Sequence, residues 1–251
     1  MVVALTLDGV PVSQLAVRWH APHVAVHHTL ASCLDTVHEL AAAGAPAGTV
    51  VVSGEQLAGR GRDGRHWHSP EGGVWLAVLF RPPVAAPGAV AIRAGMVVAD
   101  AADALLGEAR AEVKWPNDVY LDGRKLAGVL CESRWLGAHL QWLAVGIGVN
   151  VCNPVPAEVA GRAVSLCDLL PEVRRIEVLD LVVPALDAVS AGGEPLTEAE
   201  CAAFAARHRL EGRAIRAPVA GRVHGIARDG ALLVDTPGGR VPVREGTITP
   251  A

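Results

Sequence analysis

The sequence predicts a main domain of mixed helices and strands followed by a small all-β unit, divided at residues 1–208 and 209–251. Three observations carry that reading. Short apolar or β-branched runs at Thr49–Ser53, Val74–Phe80 and Trp142–Val149 have the length and composition of strands. Stretches such as Val90–Leu106 instead place Ile92, Met96, Ala99 and Leu106 near helical spacing. From Gly212 the texture changes to short strands with turns at Asp229-Gly230 and Pro237-Gly238-Gly239, which suggests a small β-barrel.

In chain order, residues 1–30 mix short strand-like pieces with a patch of His20, His23, His27 and His28. Ser32–Ala43 reads as a helix, opened by a good N-cap residue and closed by Gly44 and Pro46. The Thr49–Ser53 strand leads into Gly54–Pro82, a stretch dense in glycine and arginine that ends in the Val74–Phe80 strand. After the helix at Val90–Leu106, Val119–Leu121 and Arg124–Leu130 flank Asp122-Gly123, a strong signal for a two-residue hairpin turn. Gly146 and Gly148 thin the Trp142–Val149 strand where another group can approach closely. Arg174–Val189 and Thr197–His208 read as helices, the second with the Thr197/Glu200 spacing of a capping box.

Composition excludes several classes. A net charge of −4 gives no global positive field for nucleic acid, so no nucleic-acid partner is expected. No apolar run approaches the roughly 20 residues of a membrane span, and the acidic Asp8 follows an N-terminus without a basic region, so neither membrane nor leader is expected. Cys33, Cys131, Cys152, Cys167 and Cys201 are scattered, odd in number and form no C-x-x-C pair, which suggests no disulfide framework, no zinc site and a reducing cytoplasm.

Two stretches carry chemistry. Gly59, Gly61 and Gly64 fit G-x-G-x-x-G, yet a dinucleotide fingerprint needs a helix to open directly after it, and here a strand follows. Neither G-K-[ST] nor the downstream kinase elements are present, so P-loop and kinase readings fail as well. What remains is an anion-handling loop in which Arg60, Arg62 and Arg65 supply charge and the glycines allow close approach. In the second stretch, Lys114–Ser133, a two-residue turn pairs Leu121 with Arg124, Tyr120 with Lys125 and Asp118 with Ala127. Asp118, Tyr120 and Lys125 then share one face, a carboxylate beside an ammonium where a metal-bound nucleotide can meet a second anion.

Together the two stretches resemble biotin protein ligases. The family's G-R-G-R-x-G-R-x-W-x-S-P loop stands as Gly59–Pro70, its K-W-P-N-D…K-L-A-G hairpin as Lys114–Asp118 and Lys125–Gly128, and its G-x-G-x-N strand end as Gly146–Asn150. The resemblance covers roughly residues 25 to 250. It implies an α+β fold related to class II aminoacyl-tRNA synthetases, a mixed β-sheet with helices packed against it, closed by a C-terminal SH3-like β-barrel. It also implies an ATP- and Mg²⁺-dependent enzyme that adenylates biotin and passes it to a lysine of a carboxylase's biotin carboxyl carrier domain. The catalytic residues implied are Lys125, Arg62 and Lys114; biotin falls to Ser32, Cys33, Leu34, Gln56, Arg60, Gly61, Arg62 and Lys125. Nucleotide contacts are implied for Arg62, Trp67, Lys114, Asn117, Asp118 and Asn150, with no protein-only metal site.

The chain also departs from the pattern. Ser32-Cys33-Leu34 stands where the family has Ser-Thr-Asn, and Leu34 cannot hydrogen-bond as Asn does. Asp63 replaces a common arginine, and Gly246–Thr249 lacks the acidic residue usual in relatives. Some members carry an N-terminal helix-turn-helix and act as repressors; about 25 residues precede the matched region, so no repressor function is expected. Two alternatives stay open here, a lipoate-type protein ligase and a non-catalytic biotin-binding module, and the oligomeric state is left between monomer and weak homodimer.

Overall fold

A seven-stranded mixed sheet forms the middle of the main domain in a computed structural model that describes residues 6–84, 86–191 and 194–251. The first five residues of the N-terminal stretch, where no leader is expected, lie outside the described ones. Ahead of the sheet come two short strands of the kind expected there, β1 (Thr6–Leu7) and β2 (Val10–Pro11), and a helix the sequence reading missed, α1 (Val12–Arg18). The short helix is fastened from outside its own sequence: Arg18 pairs with Asp180, and the adjoining Trp19 donates Nε1–H to Asp180 at 2.8 Å.

The sheet comprises β3 (Val24–Leu30), β4 (Val50–Gln56), β5 (Val74–Phe80), β6 (Ala111–Lys114), β7 (Asp118–Leu121), β8 (Arg124–Leu136) and β9 (His139–Val149). Their spatial order is β3-β4-β5-β9-β8-β7-β6; β3 and β4 are parallel and the other neighbours antiparallel. Helix α2 (Cys33–Ala42) covers one face, and α3 (Pro87–Leu106) with α4 (Arg175–Ala191) covers the other. Strand alternation sorts β5 between them: Trp75, Ala77 and Leu79 join the α2 cluster, while Val74, Leu76, Val78 and Phe80 join the larger core. Burial on both faces explains why this run is apolar at every position.

Local chemistry sets the helix ends. Ser32 Oγ accepts from Leu34 N–H at 3.3 Å and starts α2 where the sequence indicates. Helix α3 opens at Pro87, three residues before the run seen in sequence, because proline suits a first turn; it stops at the left-handed Gly107. Helix α5 (Glu198–Arg207) has the expected capping box between Thr197 and Glu200.

The β7–β8 hairpin turns at Asp122 and Gly123, both with positive φ (50° and 77°), as a two-residue hairpin loop requires. Tyr120 faces Lys125 as expected, but a bulge then puts Asp118 opposite Gly128 rather than Ala127. The extra residue leaves both Leu126 and Ala127 buried, and the bulge lies beyond Lys125. The expected register is therefore corrected by one residue, while the shared face of Asp118 and Lys125 survives.

Beyond α5, β10 (Ala214–Ala217), β11 (Gly221–Ile226), β12 (Leu232–Thr236), β13 (Gly239–Val243) and β14 (Thr249–Pro250) form an antiparallel sheet in the order β13-β12-β11-β10-β14. The expected small β unit is thus present as an open sheet, without hydrogen bonds joining β13 to β14. Trp115 ties it to the main domain by donating Nε1–H to Gly230 O at 2.8 Å.

One cysteine expectation is overturned. Cys152 and Cys167 are bonded, with Cα atoms 5.2 Å apart. Spacing rules look for local pairs, whereas here main-chain bonds from Leu166 to Asn150 and from Cys167 to Val151 bring the chain back beside itself. Cys33, Cys131 and Cys201 are free thiols.

Candidate active site

A cavity of about 650 Å³ opens between the N-terminus of α2, the glycine–arginine loop, the β7–β8 hairpin and the end of β9. Every residue singled out from the sequence as a site residue lines it.

At the α2 end the polar groups are largely satisfied by one another. Cys33 N–H donates to Gln56 Oε1 at 2.8 Å, and Gln56 Nε2–H donates to Ser69 Oγ at 3.0 Å. Ser32 Oγ is the helix cap. Burial pushes the Cys33 thiol up to about 12, so it stays neutral and is no nucleophile. Leu34 fills the space above Gly146, where a Cβ would sit 2.9 Å from its Cδ1. The anomalous leucine is therefore part of the cavity's apolar wall.

The loop itself is a small hairpin. Gln56 N–H to Ser69 O (2.9 Å), Trp67 N–H to Gly59 O (2.9 Å) and Gly61 N–H to Arg65 O (2.8 Å) zip its two arms. Its tip turns through Asp63 and Gly64, both at positive φ, where an aspartate is better tolerated than most side chains. Arg60, expected at biotin, has its guanidinium taken by Glu132 in a fork of two 2.8 Å bonds and by Asp35 at 2.8 Å. Its peptide N–H has no protein partner among the described residues, and that is the donor it can offer a ligand.

Trp67 swings from the returning arm into the gap left by two glycines: a Cβ at Gly148 would lie 2.5 Å from its Nε1, and one at Gly128 3.2 Å from the ring. Lys125 Nζ stands 4.9 Å from the centre of that ring and 2.6 Å from Asp118 Oδ1. Asn117 is held by β8, donating from Nδ2 to Val129 O, and Asn150 Oδ1 accepts from Asn153 Nδ2 at 3.1 Å. Burial pulls the Lys114 ammonium below its usual range; Asp118 opposes that shift and Lys125 adds to it.

The charge balance of the cavity is one-sided. Arg60, Arg62, Arg65, Lys114, Lys125 and Arg162 line it, and Asp118 is the only carboxylate among its described lining residues. Lys125 is paired, whereas Arg62 and Lys114 have no ion pair among the described residues. A net-acidic chain thus holds a cationic cavity, suited to an anionic ligand that brings its own charge.

The sequence reading missed part of the wall. Val155, Pro156, Val159 and Arg162 belong to the segment closed by Cys152–Cys167, and Lys125 N–H donates to Arg162 O at 2.7 Å. Read alone, that segment is an ordinary turn-rich connection, and only its main-chain pairing with Lys125 reveals its place. Thr247 reaches the cavity from the C-terminal sheet.

Comparison with known proteins gives a consistent result. Residues 30–150 match the biotin/lipoate A/B protein ligase family. The bifunctional ligase/repressor BirA of Bacillus subtilis (strain 168) is 32% identical over 227 residues, 85% of this chain and 70% of that protein. The biotin--[acetyl-CoA-carboxylase] ligase of Paracoccus denitrificans is 36% identical over 217 residues, 78% of this chain and 88% of the relative. Among solved structures, the biotin protein ligase from Aquifex aeolicus in complex with biotin and ATP superposes with a TM-score of 0.77 at 24% identity. It covers 92% of this chain and 100% of that one, a likeness of fold.

Proposed function

The chain belongs to the biotin protein ligase family, and from that premise we infer that it forms biotinyl-5′-AMP from biotin and ATP and passes the biotin to a lysine of a biotin carboxyl carrier domain. No helix among the described residues is long and apolar enough to cross a membrane. The proposal includes a cytoplasmic location, where ATP is at hand. The one-sided charge of the cavity is the observation that carries the assignment of the site.

In the first half-reaction a biotin carboxylate oxygen bonds to the α-phosphorus of ATP, the bond to the β-phosphate oxygen breaks, and pyrophosphate leaves. Two anions must meet, so cations fixed in advance lower the barrier. Lys125, aimed by Asp118 and the Trp67 ring, stands at the meeting point, and Arg62 and Lys114 take the phosphates. Arg60 N–H and the Ser32–Leu34 turn hold the biotin head, with Leu34 supplying contact where a hydrogen bond is usual. Asn117 and Asn150 take the nucleoside side, near Trp67. In the second half-reaction the carrier amine attacks the acyl carbon and AMP departs.

The donor set fits Mg²⁺ carried in on the triphosphate: Asp118 is the one carboxylate among the described residues lining the cavity, and Mg²⁺ is commonly held by one or two carboxylates plus substrate phosphates. When bound it neutralises phosphate charge. A co-crystal with a non-hydrolysable biotinyl-adenylate analogue tests these roles. The phosphate surrogate is expected at Lys125 and Arg62 and the ureido ring at the α2 end; the reverse orientation would sink the assignment.

A further inference from the structure

One cluster at the rim of the cavity, joined to its lining through Arg60, spans four parts of the fold. Glu132 lies on β8, seven residues beyond Lys125, and does not line the cavity. Its two carboxylate oxygens accept from Arg60 Nε and Nη2, both at 2.8 Å, and Oε2 also meets His38 Nε2 at 3.0 Å. On β9, Trp142 Nε1–H donates to His38 Nδ1 at 2.9 Å. With Nδ1 accepting, the proton of the neutral ring sits on Nε2 and points at Glu132. Asp35 takes Nη1 of Arg60 at 2.8 Å.

Asp35 and His38 are three residues apart on α2 and so share a face of the helix whose first turn, Ser32–Leu34, walls the cavity. Arg60 belongs to the outgoing arm of the loop. The Arg60 hydrogen bonds, and then the His38 contact, hold the Glu132 carboxyl down at about 2, so it is ionised throughout the neutral range. Nothing in the cluster is spare: each guanidinium edge of Arg60 meets a carboxylate, and the carboxylate that grips two of its donors is itself held by a histidine whose tautomer a tryptophan fixes.

We propose that Glu132 is a positioning residue for biotin: by clamping Arg60 to α2, it sets the loop's outgoing arm and the Ser32–Leu34 turn in one frame before substrate arrives. The clamp occupies the Arg60 guanidinium and leaves its peptide N–H without a protein partner among the described residues. The inference rests on the reading of the site given above. Because the Glu132 carboxylate contacts Arg60 and His38 and none of Lys114, Asp118 and Lys125, its loss should weaken biotin and spare ATP.

The test is pyrophosphate–ATP exchange by the full chain, with KM measured separately for biotin and ATP in wild type, Glu132→Gln, Glu132→Asp and His38→Ala. Glu132→Gln keeps the shape and removes the charge. It is expected to raise the biotin KM about tenfold with the ATP KM within about twofold, and Glu132→Asp should recover part of the loss. His38→Ala, which leaves the Arg60 pair in place, should shift the biotin KM in the same direction by less, and it serves as the probe if Glu132→Gln does not fold. An unshifted biotin KM in Glu132→Gln, or biotin and ATP constants rising together, overturns the role of Glu132. Wild-type exchange that ignores biotin would instead overturn the reading of the site itself.

Discussion

At the α2 end of the cavity the polar groups are spent on one another, whereas at the hairpin end cations outnumber their partners. Gln56 is tied to Cys33 and Ser69, Ser32 caps a helix and Arg60 is locked by Glu132 and Asp35. Opposite them, Lys125 has a single carboxylate, and Arg62 and Lys114 have none among the described residues. The first arrangement presents a fixed shape. The second holds charge ready for a ligand that arrives with phosphates, since a desolvated, unpaired cation gains most from a new anion. Recognition of the acid and activation of it are thus assigned to different walls.

The largest effect that would sharpen this contrast is at Lys125. Lys125→Ala should lower adenylate formation by about 10²–10³-fold, as loss of a preorganised charge at the reacting centre does, while the melting temperature stays close to wild type. Near-normal pyrophosphate release by that variant would break the division between the walls.

Two glycines on one strand probe both ends. A Cβ at Gly148 would strike the Trp67 ring beneath Lys125, and one at Gly146 would strike Leu34. Gly148→Ala should therefore raise the ATP KM and lower kcat, whereas Gly146→Ala should raise the biotin KM, each by about tenfold. Leu34→Ala should relieve the Gly146→Ala defect by opening room for the new methyl. Equal shifts of both constants in both variants would erase the distinction.

Much of this was legible in sequence because the signals are local. The glycine–arginine loop, Asp122-Gly123 and the two thinning glycines each encode a backbone need that only certain residues meet. What escaped depends on partners far along the chain. Glu132 is an unremarkable strand residue until Arg60 and His38 meet it, and Arg162 is a turn residue until Lys125 pairs with its carbonyl. The β7–β8 bulge and the Cys152–Cys167 bond belong to the same class, fixed by packing rather than by spacing.

A separate expected effect is on stability and lies where the end of α5 meets β6. His208 is buried, accepts Trp115 N–H at 3.1 Å through Nε2 and has its pKa lowered to about 4, chiefly by burial and then by Lys114. A histidine depressed in the folded state contributes full stability above its unfolded pKa near 6.5, and the contribution is lost as pH falls toward 4. The chain should lose on the order of 3 kcal/mol across that window. His208→Gln, with an amide oxygen to accept from Trp115, should flatten this part of the melting-temperature profile; an unchanged slope would exclude His208 as its source.

The account turns on one cavity bringing a specific acid to ATP, so biotin-dependent exchange of labelled pyrophosphate into ATP tests it most directly. The expected result is exchange that requires biotin and Mg²⁺ and stays at background with lipoate. Exchange driven by lipoate, or equal with and without biotin, would contradict it.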